Sequence, residues 1–358
     1  GIVLDYNVDS NKEKKKNILL NPNVKKANGD IKIGFIGLGN YAISKLVPNI
    51  INQNNIELIG LANATGISSK NKAVKYGFLY STTDFQEIIN DEKINTVFIS
   101  TRHSSHFEYS IAAINNSKNI FVEKPPFISE LQLEELSKCY ENSQQENKIN
   151  YMVGFNRRFS PHIIKLKTYL KNKGPVMQIL YRINGGPIPV NSWVYESDHG
   201  GGMLIGEMCH FINTIIYLAD SIPIQVFAYH LDFENENTYK KSDNICVIIK
   251  FSNGSIANMI YNTIGNKTIN KEYIEIYSDG IIGVIDDFIS LKIFYGSKKT
   301  KDKTRNQDKG QKNMIDAFFE SIKKGKESPI SFGEIINTMR VIFAIKNSLV
   351  NNTPQNII

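Results

Sequence analysis

Apolar positions fall into two regimes along this chain. Between residues 31 and about 150, short apolar runs alternate with stretches of helical spacing. Ile31-Lys32-Ile33-Gly34-Phe35-Ile36, Ile56 to Ala62, Ile94 to Ser100 and Asn119 to Val122 are 4–7 residues long and nearly continuous in apolar content, as strands buried on both faces are. Helices are expected between and after them, at Tyr41 to Asn52, Ser68 to Tyr76, a short one from Thr83-Asp84 to Asn90-Asp91, Phe107 to Asn115 and Ser129 to Glu141. Gly77 is a natural C-cap, and Pro48 predicts a kink or early stop in the first helix. Strand alternating with helix predicts a parallel, doubly wound sheet over residues 31–148.

From residue 149 the pattern changes. A strand at Ile149 to Gly154 leads through Phe155-Asn156-Arg157-Arg158-Phe159-Ser160-Pro161 into a helix ending near Lys173. Strands then follow without intervening helices: Val176 to Ile183, Gln225 to Leu231, Asn244 to Phe251, Ser255 to Tyr261, Glu272 to Tyr277, Ile281 to Ile285 and Leu291 to Phe294. Asn253-Gly254 and Asp279-Gly280 are hairpin signals, because both residue types tolerate the positive φ of tight primed turns. One helix, Gly206 to Ala219, precedes most of these strands, and two more, Gln311 to Lys324 and Phe332 to Asn351, close the chain. Residues 149–358 therefore read as an α+β domain with a large, mostly antiparallel open sheet, and residues 1–30 as a tail or linker.

Composition changes this picture little. The 358 residues suffice for two cores, and 41% apolar with 22% charged is ordinary for a globular chain. No apolar run approaches the roughly 18 residues of a membrane span. The net charge of +7 comes from dispersed lysines. The clusters at Lys12 to Lys16 and Lys298 to Lys312 lack the interleaved aromatics that stack on bases, so nucleic acid is not expected as a partner. Three distant cysteines, Cys139, Cys209 and Cys246, fit a reducing, cytoplasmic setting. They form no Cys-x-x-Cys pair, and no metal is expected.

The candidate chemistry sits at strand ends. Gly37-Leu38-Gly39-Asn40-Tyr41-Ala42 is a Gly-x-Gly-x-x-Ala fingerprint placed between a strand and a helix. Its first glycine allows the tight turn, its second lets backbone approach a pyrophosphate, and the small third residue lets helix and strand pack closely. NAD sites commonly carry an acid at the end of the second strand; here the chain reads Asn63-Ala64-Thr65-Gly66, with Ser68, Ser69 and Lys70 as further donors. NAD and NADP both stay open, with a slight lean to NADP. Glu123-Lys124-Pro125-Pro126 ends the strand at Val122, where ligands of open α/β sheets bind. A lysine there can polarise a substrate oxygen, or simply pair with Glu123 or a backbone carbonyl.

With the Thr101-Arg102-His103-Ser104-Ser105-His106 loop, Phe-Asn-Arg-Arg-Phe-Ser-Pro, and Gly200-Gly201-Gly202 leading to His210, the chain resembles the glucose–fructose oxidoreductase, inositol dehydrogenase and MocA family from about residue 31 onward. Within it the chain is most like the bi-domain oxidoreductases, in which an alcohol dehydrogenase-like half comes first; residues 1–8 look like the tail of such a domain. The resemblance implies an NAD(P)-dependent oxidoreductase of sugars, nucleotide sugars or cyclitols, assembled as a homodimer or homotetramer. It makes Lys124 catalytic and the peptide before Pro125 a candidate cis bond. It makes His210 the second acid–base group, with Glu207 as its orienter or a substrate-hydroxyl acceptor, because the family's aspartate position is Gly206 here. Thr101, Arg102, His106, Glu123 and Arg157 are implied at the cofactor, beside Gly37, Gly39, Asn40, Tyr41, Ala42, Asn63, Thr65 and Ser68. Arg158, Trp193, Lys124 and His210 are implied at the substrate. Which of Arg157 and Arg158 faces inward is open, as is whether Trp193 and Tyr195 line a sugar pocket or pack in the core. His103 reads equally as a loop histidine. The rival reading from another class is a non-catalytic dinucleotide-binding regulator of the same fold.

Overall fold

The computed structural model describes residues 18–20, 30–171, 174–196, 200–234 and 236–357, with only the backbone of residue 146. Residues 1–8, the Lys12 to Lys16 cluster and the expected helix end at Lys173 lie outside these.

The first sheet is built from β1 (Ile18–Leu19), β2 (Ile31–Ile36), β3 (Ile56–Ala62), β4 (Tyr80–Thr82), β5 (Thr96–Ile99), β6 (Asn119–Val122) and β7 (Tyr151–Val153), in the spatial order β1-β4-β3-β2-β5-β6-β7. Every pairing from β4 to β7 is parallel; β1 alone runs antiparallel, Ile18 opposite Ser81 and Leu19 opposite Tyr80. The chain winds outward from β2 to β4, then returns to β5 on the other side of β2. That reversal leaves a crevice beyond the carboxyl ends of β2 and β5.

Helices α1 (Val47–Ile50), α2 (Gly66–Tyr76), α3 (Phe85–Ile89), α4 (His103–Asn115) and α5 (Glu130–Glu146) connect these strands. Pro48 stands in the first turn of α1, where its missing N–H is tolerated, and residues Ala42–Leu46 before it form a wide π turn; α1 ends at Ile50. Asp84 and Ser129 cap α3 and α5 by accepting the N–H of Gln86 and Gln132. Gly77, at φ 81°, ends α2.

The second sheet has the order β15-β14-β13-β12-β8-β11-β10-β9-β16. Its strands are β8 (Gln178–Asn184), β9 (Pro223–His230), β10 (Ile245–Phe251), β11 (Ile256–Asn262), β12 (Glu272–Ser278), β13 (Ile281–Asp286), β14 (Ser290–Tyr295), β15 (Lys298–Lys303) and β16 (Gln355–Asn356). All pairs are antiparallel except β8 with β11. The strands alternate buried and exposed positions, as in β10 with Ile245, Val247 and Ile249 inward and Cys246 and Ile248 outward. Helices α6 (Pro161–Leu170), α7 (Cys209–Ala219) and α9 (Phe332–Asn351) cover the inner face. Helix α7 is buried on nearly every side, which accounts for its apolar residues all round.

Several expectations need correction. Ile18-Leu19 is an edge strand rather than tail. Helix α4 begins at His103, four residues early, because Arg102 is still extended and serves as its N-cap. The strand at Tyr151–Val153 belongs to the first sheet, beside β6. Helix α8 (Gln311–Lys323) also returns to the first sheet. There Phe35, Phe98 and Phe121 stack across β2, β5 and β6 at 5.2 and 4.9 Å, and Phe318 meets Phe98 and Phe121 edge-on. The lysine cluster at 298–303 is β15, an edge strand whose charge is a common guard against edge-to-edge pairing.

One ion cluster ties the turn after β7 to the second sheet. Arg157 forks onto Glu272 at 2.6 and 2.9 Å, and the same carboxylate accepts from Lys309 at 2.7 Å and Tyr181 at 2.6 Å. Burial alone would raise the Glu272 pKa, but Arg157 and Lys309 outweigh it and hold the carboxyl at about 2. Glu272→Ala is expected to cost about 3–5 kcal/mol, because it strands the buried Arg157 charge. Chemical denaturation measures this, and Arg157→Met/Glu272→Leu together should lose less than Glu272→Ala alone.

Candidate active site

The crevice at the strand reversal is a groove with two arms. One arm, a cavity of about 660 Å³, runs along Gly37, Leu38, Gly39, Asn63, Thr65 and Ser68. The other, about 360 Å³, is lined by Tyr41, His103, Glu123, Lys124, Arg157, Glu207 and His210 among others. Gly39, Ser100, Thr101 and Trp193 line both arms and mark their junction.

The glycine turn fits a dinucleotide pyrophosphate. Gly37 has φ +83°, and a Cβ there would strike the Ser100 backbone and Thr101, so the turn admits only glycine. A Cβ on Gly39 would meet nothing within 4 Å, which leaves this backbone open toward the groove. Ala42 is buried where the following turn packs on the sheet. Asn63, at the end of β3, accepts the Leu38 N–H through Oδ1 at 2.7 Å. Asn40 is exposed and lies outside the residues lining either arm.

Lys124 extends from the end of β6 across to the second domain, where its Nζ donates to the Gly206 carbonyl at 2.7 Å. The Lys124–Pro125 peptide is cis. His106 braces this segment from behind, its ring nitrogens 2.8 Å from the Pro125 carbonyl and 3.2 Å from that of Thr101. Burial lowers its pKa to about 4, so the ring is neutral and donates one of these bonds at a time, the shorter one to Pro125 being favoured. His106 thus lines the inner arm while its ring nitrogens face backbone carbonyls.

Glu123 is buried, and its Oε1 has no partner among the described residues. Burial pushes its carboxyl up to about 7, with Lys124 pulling the other way. Gly154 leaves it room, since a Cβ there would come within 2.8 Å of Oε1.

His210 opens onto the inner arm from α7. Its Nδ1 is buried without a partner among the described residues, and its ring stands edge-on to Phe155 at 5.9 Å. Burial, then the charges of Arg157 and Lys124, hold its pKa well below the usual histidine range, so the imidazole is neutral. Glu207 does not orient it. The Glu207 carboxylate instead accepts from Lys271 at 2.6 Å and Tyr261 at 2.5 Å. Both side chains line the inner arm, but Glu207 sits within the π turn at Leu204–Met208, and its carboxylate is turned to Lys271 and Tyr261 rather than to the His210 ring. Burial opposes ionisation of Glu207, but Lys271 and then Lys124 overcome it and keep the carboxyl below its usual range.

Gly206 is occupied by its surroundings in another way. A Cβ built on it would lie 2.7 Å from Cε1 of His103. His103, in the first turn of α4, donates its Nδ1 proton to the Gly200 carbonyl at 2.7 Å, and burial drops its pKa to about 4. Its ring packs against Trp193 at 4.9 Å, and Arg102 lies over the same indole at 5.7 Å. Trp193 therefore roofs the junction, while Tyr195 donates to Asp243 outside the groove.

Of the two arginines, Arg157 faces the groove. Arg158 does not: it pairs with Glu334 at 2.9 Å and stacks over Tyr217 at 4.2 Å, so its expected substrate role is corrected. Lys72, Lys271, Lys309, Gln311 and Tyr261 escaped the sequence reading, since nothing in their local pattern distinguishes them from surface polar or strand residues. Among the described residues no group of three or more His, Cys, Asp or Glu side chains could hold a metal, and no helix is long and apolar enough to cross a membrane.

Two family models cover this architecture, an oxidoreductase family's NAD-binding Rossmann fold over residues 31–155 and its C-terminal α/β domain over residues 167–357. The chain belongs to the glucose–fructose oxidoreductase, inositol dehydrogenase and MocA family. It is similar to an uncharacterised oxidoreductase of Bacillus subtilis, 25% identical over 91% of this chain and 96% of that one. It is also similar to the myo-inositol 2-dehydrogenase of Thermotoga maritima, 26% identical over 63% of this chain and 66% of the other. Among solved structures, a levoglucosan dehydrogenase in complex with NADH and levoglucosan superimposes with a TM-score of 0.79 at 20% identity, over 91% of this chain and 99% of that one. This member of the family thus carries an NAD-binding Rossmann domain and a C-terminal sheet domain.

Two variants test this geometry. Below pH 4.5 Glu123 is protonated whether the chain is folded or unfolded. Its raised folded pKa favours the fold there, and that contribution is lost as pH rises through about 7. Glu123→Gln should therefore gain stability relative to the native chain on going from pH 5 to pH 8, by up to about 3 kcal/mol. A difference independent of pH in chemical denaturation would contradict the burial of an ionisable carboxyl. Gly206→Ala should cost about 1–3 kcal/mol of stability, and much of that cost should vanish in a His103→Ala background. Additive effects on the melting temperature would show that the two residues do not meet.

Proposed function

We propose that the chain is an NAD(P)-dependent dehydrogenase acting on a hydroxyl-bearing carbon of a sugar, nucleotide sugar or cyclitol. The observation that carries this reading is the convergence of Lys124 from the first sheet and His210 from α7 on the inner arm. This arm joins the glycine-turn arm at Thr101 and Trp193. Relatives named for inositol and levoglucosan oxidation support the substrate class.

The bound nicotinamide would take or give the hydride. Gly37, Gly39 and Ala42 would hold the pyrophosphate before it, Thr101 stands at the junction of the two arms, and Tyr41, Glu123 and Arg157 line the inner arm beyond. Lys124 can donate an N–H to the reacting oxygen, exchanging the Gly206 carbonyl for the substrate or adding to it. His210, uncharged before the reaction, can accept the hydroxyl's hydrogen bond and its proton as the hydride leaves, against the opposition of burial and the neighbouring cations, and returns the proton readily in the reverse direction. Glu207, ionised and held by Lys271 and Tyr261, serves as an acceptor for a neighbouring substrate hydroxyl. Trp193 offers an aromatic face to an apolar sugar face. The exposed outer face of the second sheet, with Tyr229, Ile248, Ile256 and Ile260, suits a second copy in a homodimer or homotetramer. The unpaired cysteines suit a cytoplasmic setting.

One observation favours the regulator instead: Glu207 is bonded away from His210, whose Nδ1 has no orienting partner among the described residues. Purified protein offered sugars, nucleotide sugars and cyclitols, with nicotinamide absorbance followed, separates the two. Lys124→Met is expected to abolish turnover with cofactor affinity changed by no more than a few-fold. His210→Ala is expected to lower kcat by about 10²–10⁴ with a smaller change in KM. Equal loss of cofactor binding and turnover in Lys124→Met would remove the lysine from the chemistry.

A further inference from the structure

The outer arm of the groove is the place where a Rossmann domain reads the adenosine ribose, at the end of the second strand. Here that end presents amide, hydroxyl and cationic groups in place of an acid. Asn63 Oδ1 is held by the Leu38 N–H at 2.7 Å, which fixes the amide so that its other half is the NH₂ group. That Nδ2 is buried and has no partner among the described residues. Thr65 is the extended N-cap of α2, yet its hydroxyl makes no capping bond, so the first-turn amides and the hydroxyl are both left for a ligand. Ser68 lines the same arm. Lys72 spends one proton on the Leu38 carbonyl at 2.7 Å and keeps its charge in the arm, as does Arg102. No carboxylate lines this arm among the described residues.

A ribose 2′-hydroxyl is commonly held by a carboxylate at this strand end, which would also repel a 2′-phosphate, and none stands among the described residues of this arm. A 2′-phosphate has only acceptor oxygens and carries the charge that two cations and a helix N-terminus favour. We propose that the chain binds NADPH in preference to NADH, with Asn63, Thr65, Ser68 and the first turn of α2 holding the 2′-phosphate. The proposal rests on the reading that the groove holds a dinucleotide.

The chain has one tryptophan, Trp193, which lines both arms. Energy transfer from it to a reduced nicotinamide therefore reports binding of either cofactor to the purified protein without any substrate. NADPH should bind about tenfold or more tightly than NADH, the scale of one or two charge-assisted hydrogen bonds. Asn63→Asp keeps an oxygen for the Leu38 N–H and turns the donor into an acceptor, so it should reverse the preference. Ser68→Ala should weaken NADPH at least about fivefold more than NADH, and it supplies the comparison if Asn63→Asp does not fold. Equal affinities, or tighter NADH, in the native chain overturn the proposal. Equal weakening of both cofactors by Ser68→Ala overturns the placing of the phosphate. If neither cofactor quenches Trp193, the dinucleotide reading falls and takes this one with it, an outcome distinct from a preference for NADH.

Discussion

The bond from Lys124 to the Gly206 carbonyl is the interaction on which the rest of the candidate active site depends. It joins the carboxyl end of β6 in one sheet to the π turn ahead of α7 in the other domain. The two histidines of α4 brace its two ends. His106 braces the Lys124 side through Pro125, and His103 reaches over to the Gly206 side through Gly200. A lysine held at a carbonyl rather than at a carboxylate keeps its N–H donors free of a bonded counter-ion, with Glu123 and Glu207 acting on it through space. That suits a group whose task is to meet an oxygen on a ligand.

The electrostatics follow from this placement. Lys124, Arg157, Lys271 and Lys309 crowd the inner arm, and two carboxylates, Glu207 and Glu272, take up most of that charge as bonded partners. The histidines among them stay neutral, because burial and neighbouring cations both oppose a further proton. Glu123 is the exception, buried beside a lysine but short of hydrogen bonds, and its carboxyl sits near neutrality. Carboxylates bonded to cations, together with imidazoles left free of charge, divide the arm into groups that position and groups that can exchange protons.

Much of this was legible from residue order. The apolar run into Gly37 announced the strand, the turn and the crevice, because only glycine tolerates that φ so close to the neighbouring backbone. The antiparallel domain was legible from alternation and from Asn253-Gly254 and Asp279-Gly280. Three things were not. Strand β15 has no alternation, because Lys298 to Lys303 is exposed over almost its whole length. Glu207 was read by regular helix spacing, but it sits within a π turn, which has no local sequence signal, and its carboxylate is turned to Tyr261 and Lys271. Arg158 carries the same charge and motif as Arg157; only the positions of Glu272 and Glu334, more than 100 residues further on, decide which one faces the groove.

Helix α8 has a consequence for how the chain is made. The aromatic row Phe35, Phe98 and Phe121 is complete once β6 has been synthesised, yet Phe318 and Phe319 come from residues 311–323. During synthesis the first sheet therefore waits, with one face incompletely covered, until almost the whole second sheet has emerged. The two sheets look like consecutive modules in sequence, but the earlier one is completed only after strands β8 to β15 of the later one have been made. Its nascent form exposes apolar surface for the length of the other domain's translation, the condition under which chaperones engage a growing chain.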